Sequence, residues 1–251
     1  MFTHNRTPLV LKAVVNFSIP GISTKSSDSE TSLKTLILAE LDKSYPATAW
    51  TQVFTDGSAV YATRNGGCGI YIRQPNKPPI TIAILGGYLC SNYRAEPQAL
   101  LTATETVTQL ETKPKKVVLR TDSLSVLQSL ASENPEDYTL QNLIQSLNSL
   151  TSRPTAVLQW IPAHTGLHGN EVVDQLEKER SKKQQPKSKL GYQEAKTLIR
   201  IKRLAAFKHR NGGYNPHQDT LRLLSRHEQT MIFRLRTGHC RLRSHMDKIG
   251  I

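Results

Sequence analysis

This 251-residue sequence predicts an α/β domain in which a mixed sheet of five strands is flanked by helices. Three observations carry that expectation. Residues 50–89 hold three strand-like stretches joined by short turns, the pattern of an antiparallel meander. From Pro97 onward helical and strand-like spacings alternate, which adds parallel strands through crossover helices. The stretch Val117-Val118-Leu119 is continuously apolar, as a strand covered on both faces must be.

The elements follow in order. Residues 50–56 alternate with period two, Gly66–Arg73 forms the second strand candidate and Pro79–Leu89 the third. Leu100, Ala103, Val107 and Leu110 repeat at helical spacing, and Pro97 suits the first turn of that helix. Lys115–Thr121 reads as a strand and Ser123–Leu130 as a short helix. A further helix from Tyr138 carries the stripe Leu140, Leu143, Ile144, Leu147 and Leu150. Thr155–Ile161 is the last strand and Asn170–Ser181 the last helix of the core. The order is β-β-β-α-β-α-α-β-α.

Outside that core the texture changes. Residues 1–46 mix Ser, Thr and Pro with one apolar helical stretch, Leu33–Leu41, and read as a connecting segment, partly disordered. The domain itself is assigned to residues 47–182. Residues 183–251 form a basic helical extension, with helical candidates at Gln193–Lys208 and Gln218–Arg236 split by Asn211-Gly212-Gly213.

Charge is divided unevenly. Residues 1–174 carry 14 basic and 14 acidic side chains, whereas residues 175–251 carry 19 and 6, so the whole formal charge of +13 sits in the C-terminal part. A basic flank on a neutral body fits a polyanion partner, and fits a solvated, partly disordered tail equally well. Cys68, Cys90 and Cys240 are too few and too scattered for a disulfide framework or a zinc site. No secretory signal or membrane-length apolar run is present. The expected setting is intracellular, cytoplasmic or nuclear, with no membrane partner.

Three carboxylates stand where a plain core would not place them. Asp56 ends the first strand on the face of Phe54. Glu96 extends the apolar helical stripe back by one step from Leu100. Asp122 terminates the buried strand. Burying charge is costly without compensation, and converging carboxylates fit a hard cation with oxygen ligands. Each also has an ordinary reading: Asp56-Gly57 as a turn, Glu96 as a favourable acid in a first helical turn, Asp122 as a helix cap. A fourth block, His164-Thr165-Gly166 through Asn170 to Asp174, joins a strand to a helix. Spacing alone reads Asp174 as a solvated helix acid and His164 as a loop histidine, so the residues leave both open.

Together, Thr55-Asp56-Gly57-Ser58, Asn92-Tyr93-Arg94-Ala95-Glu96, Thr121-Asp122-Ser123 and His164-Thr165-Gly166 through Asp174 resemble type 1 ribonuclease H, in family order over about residues 48–182. Pro97 departs from the aliphatic residue usual after that glutamate. The resemblance implies that Asp56, Glu96, Asp122 and Asp174 bind two Mg²⁺ ions about 4 Å apart, with Mn²⁺ as a substitute and no small-molecule cofactor. It implies that Asp56 bridges both ions and that His164, on a mobile loop, assists proton transfer or product departure. The implied reaction hydrolyses the RNA strand of an RNA–DNA hybrid, leaving a 3′-hydroxyl and a 5′-phosphate. Substrate contacts are expected from Gly57, Ser58, Asn92 and Asn170; the two asparagines read equally well as turn or cap residues.

The segment Arg222–Leu242 resembles the region downstream of ribonuclease H in non-LTR retrotransposon polyproteins, where a Cys/His zinc knuckle commonly follows. The expectation is a fragment of such a polyprotein, ending before the knuckle, with His239, Cys240 and His245 not serving as metal ligands. Competing readings are a catalytically inactive ribonuclease H-like binding module, a transposase or integrase, and a basic nucleic-acid-binding arm with the domain as ballast. Nothing in the sequence fixes the oligomeric state.

Overall fold

A computed structural model describes residues 9–22, 30–60, 63–132, 135, 137–152, 155–163, 166–187, 190–210 and 224–236. Its organising strand is β2 (Thr51–Val60), which is buried through most of its length and pairs with a neighbour on each side. On one side β3 (Arg64–Arg73) and β4 (Ile80–Leu89) continue antiparallel, as short turns allow. On the other, β5 (Lys116–Thr121) and β6 (Thr155–Trp160) run parallel.

The observed sheet has six strands, not the expected five. The sixth, β1 (Val14–Asn16), pairs parallel to β6 and gives the order β1-β6-β5-β2-β3-β4. Three residues at a sheet edge are too few to show a period-two pattern, so this strand is set by its partners instead. Asn16 donates to Gln159 Oε1 (3.2 Å) and to the Tyr45 hydroxyl (2.8 Å), and that hydroxyl in turn donates to Gln159. The following helix, α1 (Glu30–Ser44), buries Ile37 and Leu41 against the sheet.

Period-two alternation sorts the sheet into two cores. Val53, Val117, Leu119 and Leu158 face a large cluster with α2 (Asn92–Gln109), α3 (Leu124–Leu130) and α4 (Tyr138–Thr151). Phe54, Val118 and Val157 face the opposite cluster with α1 and α5 (His168–Ser181). The α4 stripe is buried at all five of its expected positions, and Asp137 caps that helix by accepting from the Thr139 and Leu140 amides at 2.8 and 3.2 Å.

Helix α2 corrects one expectation. It begins at Asn92, which puts Pro97 inside the helix rather than in its first turn. A proline there removes one i→i−4 hydrogen bond, and burial of Ala95, Pro97, Ala99 and Leu100 against the sheet offsets that loss. The last helix of the core likewise starts two residues early, at His168.

The chain divides into two units, residues 1–197 and 198–251. Near the end of the first, Gln185, Pro186 and Glu194 bond to sheet and helix ends: the Tyr88 amide donates to the Pro186 carbonyl (2.9 Å), the Gly87 amide to Gln185 Oε1 (3.0 Å), and Ser91 to the buried Glu194 carboxylate (2.6 Å). Helix α6 (Tyr192–Arg210) runs from there into the second unit. That unit also holds α7 (Arg226–Arg236), whose N-terminus is a capping box in which Ser225 and Glu228 satisfy each other's backbone amides. Among the described residues no helix is long and apolar enough to cross a membrane.

Candidate metal centre

The β2–β5 pairing places the first two carboxylates side by side. Phe54 is in register with Arg120, the last paired position, so two residues further along each strand Asp56 and Asp122 flank the point where the parallel strands part. Glu96 arrives from α2, which crosses β2 at Gly57. A side chain there is excluded, because a Cβ on Gly57 would sit 2.4 Å from the Ala95 carbonyl carbon and 2.6 Å from the Glu96 nitrogen. Asp56, Glu96 and Asp122 each present an oxygen within 4.8 Å of the others.

The fourth carboxylate comes from the opposite layer. Helix α5 lies on β3 at two glycines: a Cβ on Gly69 would meet the Val173 carbonyl oxygen at 2.2 Å, and one on Gly67 the Glu177 carbonyl oxygen at 2.1 Å. Across the β2–β3 ladder Gly69 pairs with Asp56 and Gly67 with Ser58. The close helix approach therefore lowers Asp174 and Glu177 onto β2, and Asp56, Asp174 and Glu177 form a second group with oxygens within 4.8 Å of one another. Asp56 belongs to both groups.

Glu177 was not anticipated from sequence. It is 2% exposed and accepts a hydrogen bond from the Ser58 hydroxyl. The available signal was the Asp174–Glu177 spacing, since residues three apart share a helix face. Asp174 itself is more open, and Lys178 one turn on reaches its Oδ2 at 2.6 Å.

So many carboxylates in one partly buried place repel one another. Burial first, then the neighbouring Asp122 and Glu177, push the Asp56 carboxyl up to about 7, against the pull of the Gly57 amide. Burial and the charges of Asp56 and Asp122 hold Glu96 well above the usual carboxylate range. Burial also raises Glu177, while the Ser58 hydrogen bond opposes it. Glu96 Oε2 is a buried oxygen without a hydrogen-bond partner among the described residues. An all-oxygen donor set with an orphaned, repelled carboxylate is what a hard divalent cation would satisfy.

The remaining expected site residues that are described lie on β2, α2 and α5. The Asn92 side chain accepts from the Ala59 amide at 2.8 Å, tying the start of α2 to β2. Asn170 is 3% exposed, and its Oδ1 has no partner among the described residues. Ser58 is committed to Glu177 and Gly57 to the α2 crossing. His164 lies outside the described residues, as do His239, Cys240 and His245. Nearby, the His168 ring packs edge-on against Tyr71 with centroids 5.8 Å apart.

Comparison with known proteins places this centre in context. Residues 48–182 match the family described as RNase H. The chain is 31% identical over 140 residues to a ribonuclease H of Photorhabdus luminescens, covering 50% of this chain and 84% of that protein. It is 28% identical over 142 residues to a ribonuclease H of Vibrio vulnificus, covering 51% and 87%. Among solved structures, RNase H1 of the halophilic archaeon Halobacterium salinarum aligns with a TM-score of 0.43 at 20% identity, over 52% of this chain and 96% of that one.

Proposed function

This chain belongs to the ribonuclease H family, and from that premise we propose that it is an endonuclease hydrolysing the RNA strand of RNA–DNA hybrids with two Mg²⁺ ions. The observation that carries the reading is the pair of carboxylate groups sharing Asp56. Asp56, Glu96 and Asp122 would hold one ion, and Asp56 with Asp174 the other. Bound there, the ions would activate the attacking water and stabilise the leaving oxygen, and Mn²⁺ would substitute.

The protein's own groups supply the rest. Asp56 must give up its proton to bind, because a carboxyl held near 7 is only partly ionised at neutral pH. Lys178 holds Asp174 in place and must yield that oxygen to a cation. His164 assists proton transfer or product departure. Selectivity for a hybrid requires reading the 2′-hydroxyls of one strand and the deoxyribose backbone of the other. The backbone amides of Gly57 and Ser58, with the side-chain amides of Asn92 and Asn170, are assigned to those contacts. The 16 basic side chains after residue 182 add phosphate affinity without base specificity. The likeness of the Arg222–Leu242 segment to retrotransposon polyproteins supports an origin in such an element.

The test is a panel of end-labelled substrates offered to the full chain with Mg²⁺: RNA–DNA hybrid, duplex DNA, duplex RNA and single-stranded RNA. Cutting confined to the RNA strand of the hybrid is expected. Equal cutting of duplex DNA would contradict the proposal.

A further inference from the structure

We infer that Glu177 is a fifth metal-holding carboxylate of this chain, supplying an oxygen to the cation shared by Asp56 and Asp174. The inference rests on the proposed ribonuclease centre and adds a residue to it.

Four observations carry it. Glu177 presents an oxygen within 4.8 Å of oxygens of both Asp56 and Asp174. Its side chain is buried beside those carboxylates without a salt-bridge partner among the described residues. A buried carboxylate so placed is costly unless a cation compensates it. The backbone is shaped to bring it there: Gly67 is the position where α5 touches β3 at the Glu177 carbonyl, and Gly67 pairs with Ser58, the residue that orients the Glu177 carboxylate. The fourth observation lies outside the carboxylates themselves. Asn170, Asp174 and Glu177 lie at i, i+4 and i+7 on α5 and so share one face, and the 3% exposed Asn170 leaves its Oδ1 without a donor on that face. Across Asp56, Glu96 Oε2 is orphaned in the same way. Both are buried oxygens lacking a donor among the described residues, which a positive ligand would satisfy. The Ser58 hydroxyl occupies one side of the Glu177 carboxylate and leaves its other lone pairs for that ligand.

Glu177 therefore raises divalent-cation affinity while costing stability when no cation is bound. A purely structural glutamate would do neither. The test uses the full chain and Mn²⁺ alone, followed by electron paramagnetic resonance or calorimetry, with melting in EDTA measured in parallel. Glu177→Gln keeps the shape and removes the charge. It is expected to weaken Mn²⁺ binding by about 10-fold or more and to raise the metal-free melting temperature. Asp56→Asn is expected to abolish binding. Mn²⁺ affinity of Glu177→Gln within twofold of the parent overturns the inference and leaves the ribonuclease centre standing, because Asp56→Asn still separates from both. A lowered metal-free melting temperature in Glu177→Gln also overturns it, by assigning the residue to packing. Absence of Mn²⁺ binding by the folded parent overturns both the centre and this inference.

Discussion

Gly69 of β3 sits directly beneath the Val173 carbonyl of α5, so close that a methyl group on Gly69 would lie 2.2 Å from that oxygen. Because Gly69 is also the ladder partner of Asp56, one contact sets the height of the helix that carries Asp174 above the strand that carries Asp56. Backbone against backbone cannot give way as a flexible side chain can. Gly69→Ala is expected to push α5 outward, costing about 1–3 kcal/mol of stability and reducing hybrid cleavage more than it reduces hybrid binding. Chemical denaturation and single-turnover cleavage of the variant would check both. A fully active, equally stable Gly69→Ala chain would show that helix position is set elsewhere.

Metal-free stability should depend on pH with a definite sign. A carboxyl whose folded pKa lies above its unfolded value stabilises the fold when protonated. For Asp56 that contribution is fully present below 3.8 and is lost as the pH rises through about 7; Glu96, also raised, acts in the same direction. In EDTA the melting temperature is expected to fall from pH 5 to pH 8, and Asp56→Asn should remove much of the slope. Saturating Mg²⁺ should favour the ionised carboxylates and offset the fall at pH 8. A slope in EDTA unchanged by Asp56→Asn would contradict the assignment.

Arg120 predicts a stabilising substitution. Its guanidinium is buried over Phe54 and Tyr45, 5.0 and 5.9 Å from the ring centroids, and its Nε and Nη2 have no partners among the described residues. Burial lowers its pKa to about 10, against the pull of Asp42. A cation–π contact contributes up to about 2 kcal/mol, while each unsatisfied buried donor costs about 1–3 kcal/mol. Two such donors cost about 2–6 kcal/mol together, against up to about 4 kcal/mol from the two rings. Arg120→Met is expected to raise the unfolding free energy by about 1 kcal/mol; a loss of stability would mean the guanidinium is better satisfied than its contacts indicate.

The basic C-terminal part should govern affinity rather than chemistry. Gln185, Pro186 and Glu194 pin the β4 edge and Ser91, so a truncation that spares the sheet is placed after Thr197. Such a chain is expected to bind hybrid more weakly, with a shallower dependence on salt, and to keep cutting at low salt. Loss of cutting at every salt concentration would make the arm, not the domain, the functional unit.

Legibility in the sequence follows from how far each feature repeats. The α4 stripe and the Val117–Leu119 run announce themselves because several residues at a fixed period face one core. Asp56, Glu96 and Asp122 stood out because each interrupts an apolar pattern, although Asp56 does not end its strand as expected, since pairing with β3 carries β2 on to Val60. β1 escaped because three edge residues carry no period, and its pairing depends on Asn16, Tyr45 and Gln159, far apart in sequence. Glu177 escaped for a different reason. The apolar residues of α5 are Val172, Val173 and Leu176, and their spacing gives no reason to expect Glu177 inside. Only the glycines of β3, by letting the helix backbone touch the strand, turn that side of α5 inward.

The most direct test of the central claim is cleavage of an end-labelled RNA–DNA hybrid by the full chain in Mg²⁺, with Asp122→Asn alongside. RNA-strand fragments carrying 5′-phosphates are expected from the parent, with a drop of more than about 100-fold in the variant, since even partners outside the direct ligand shell cost 10- to 100-fold. A folded parent that cuts nothing in Mg²⁺ or Mn²⁺ would contradict the enzyme and leave a ribonuclease H-like module that only binds.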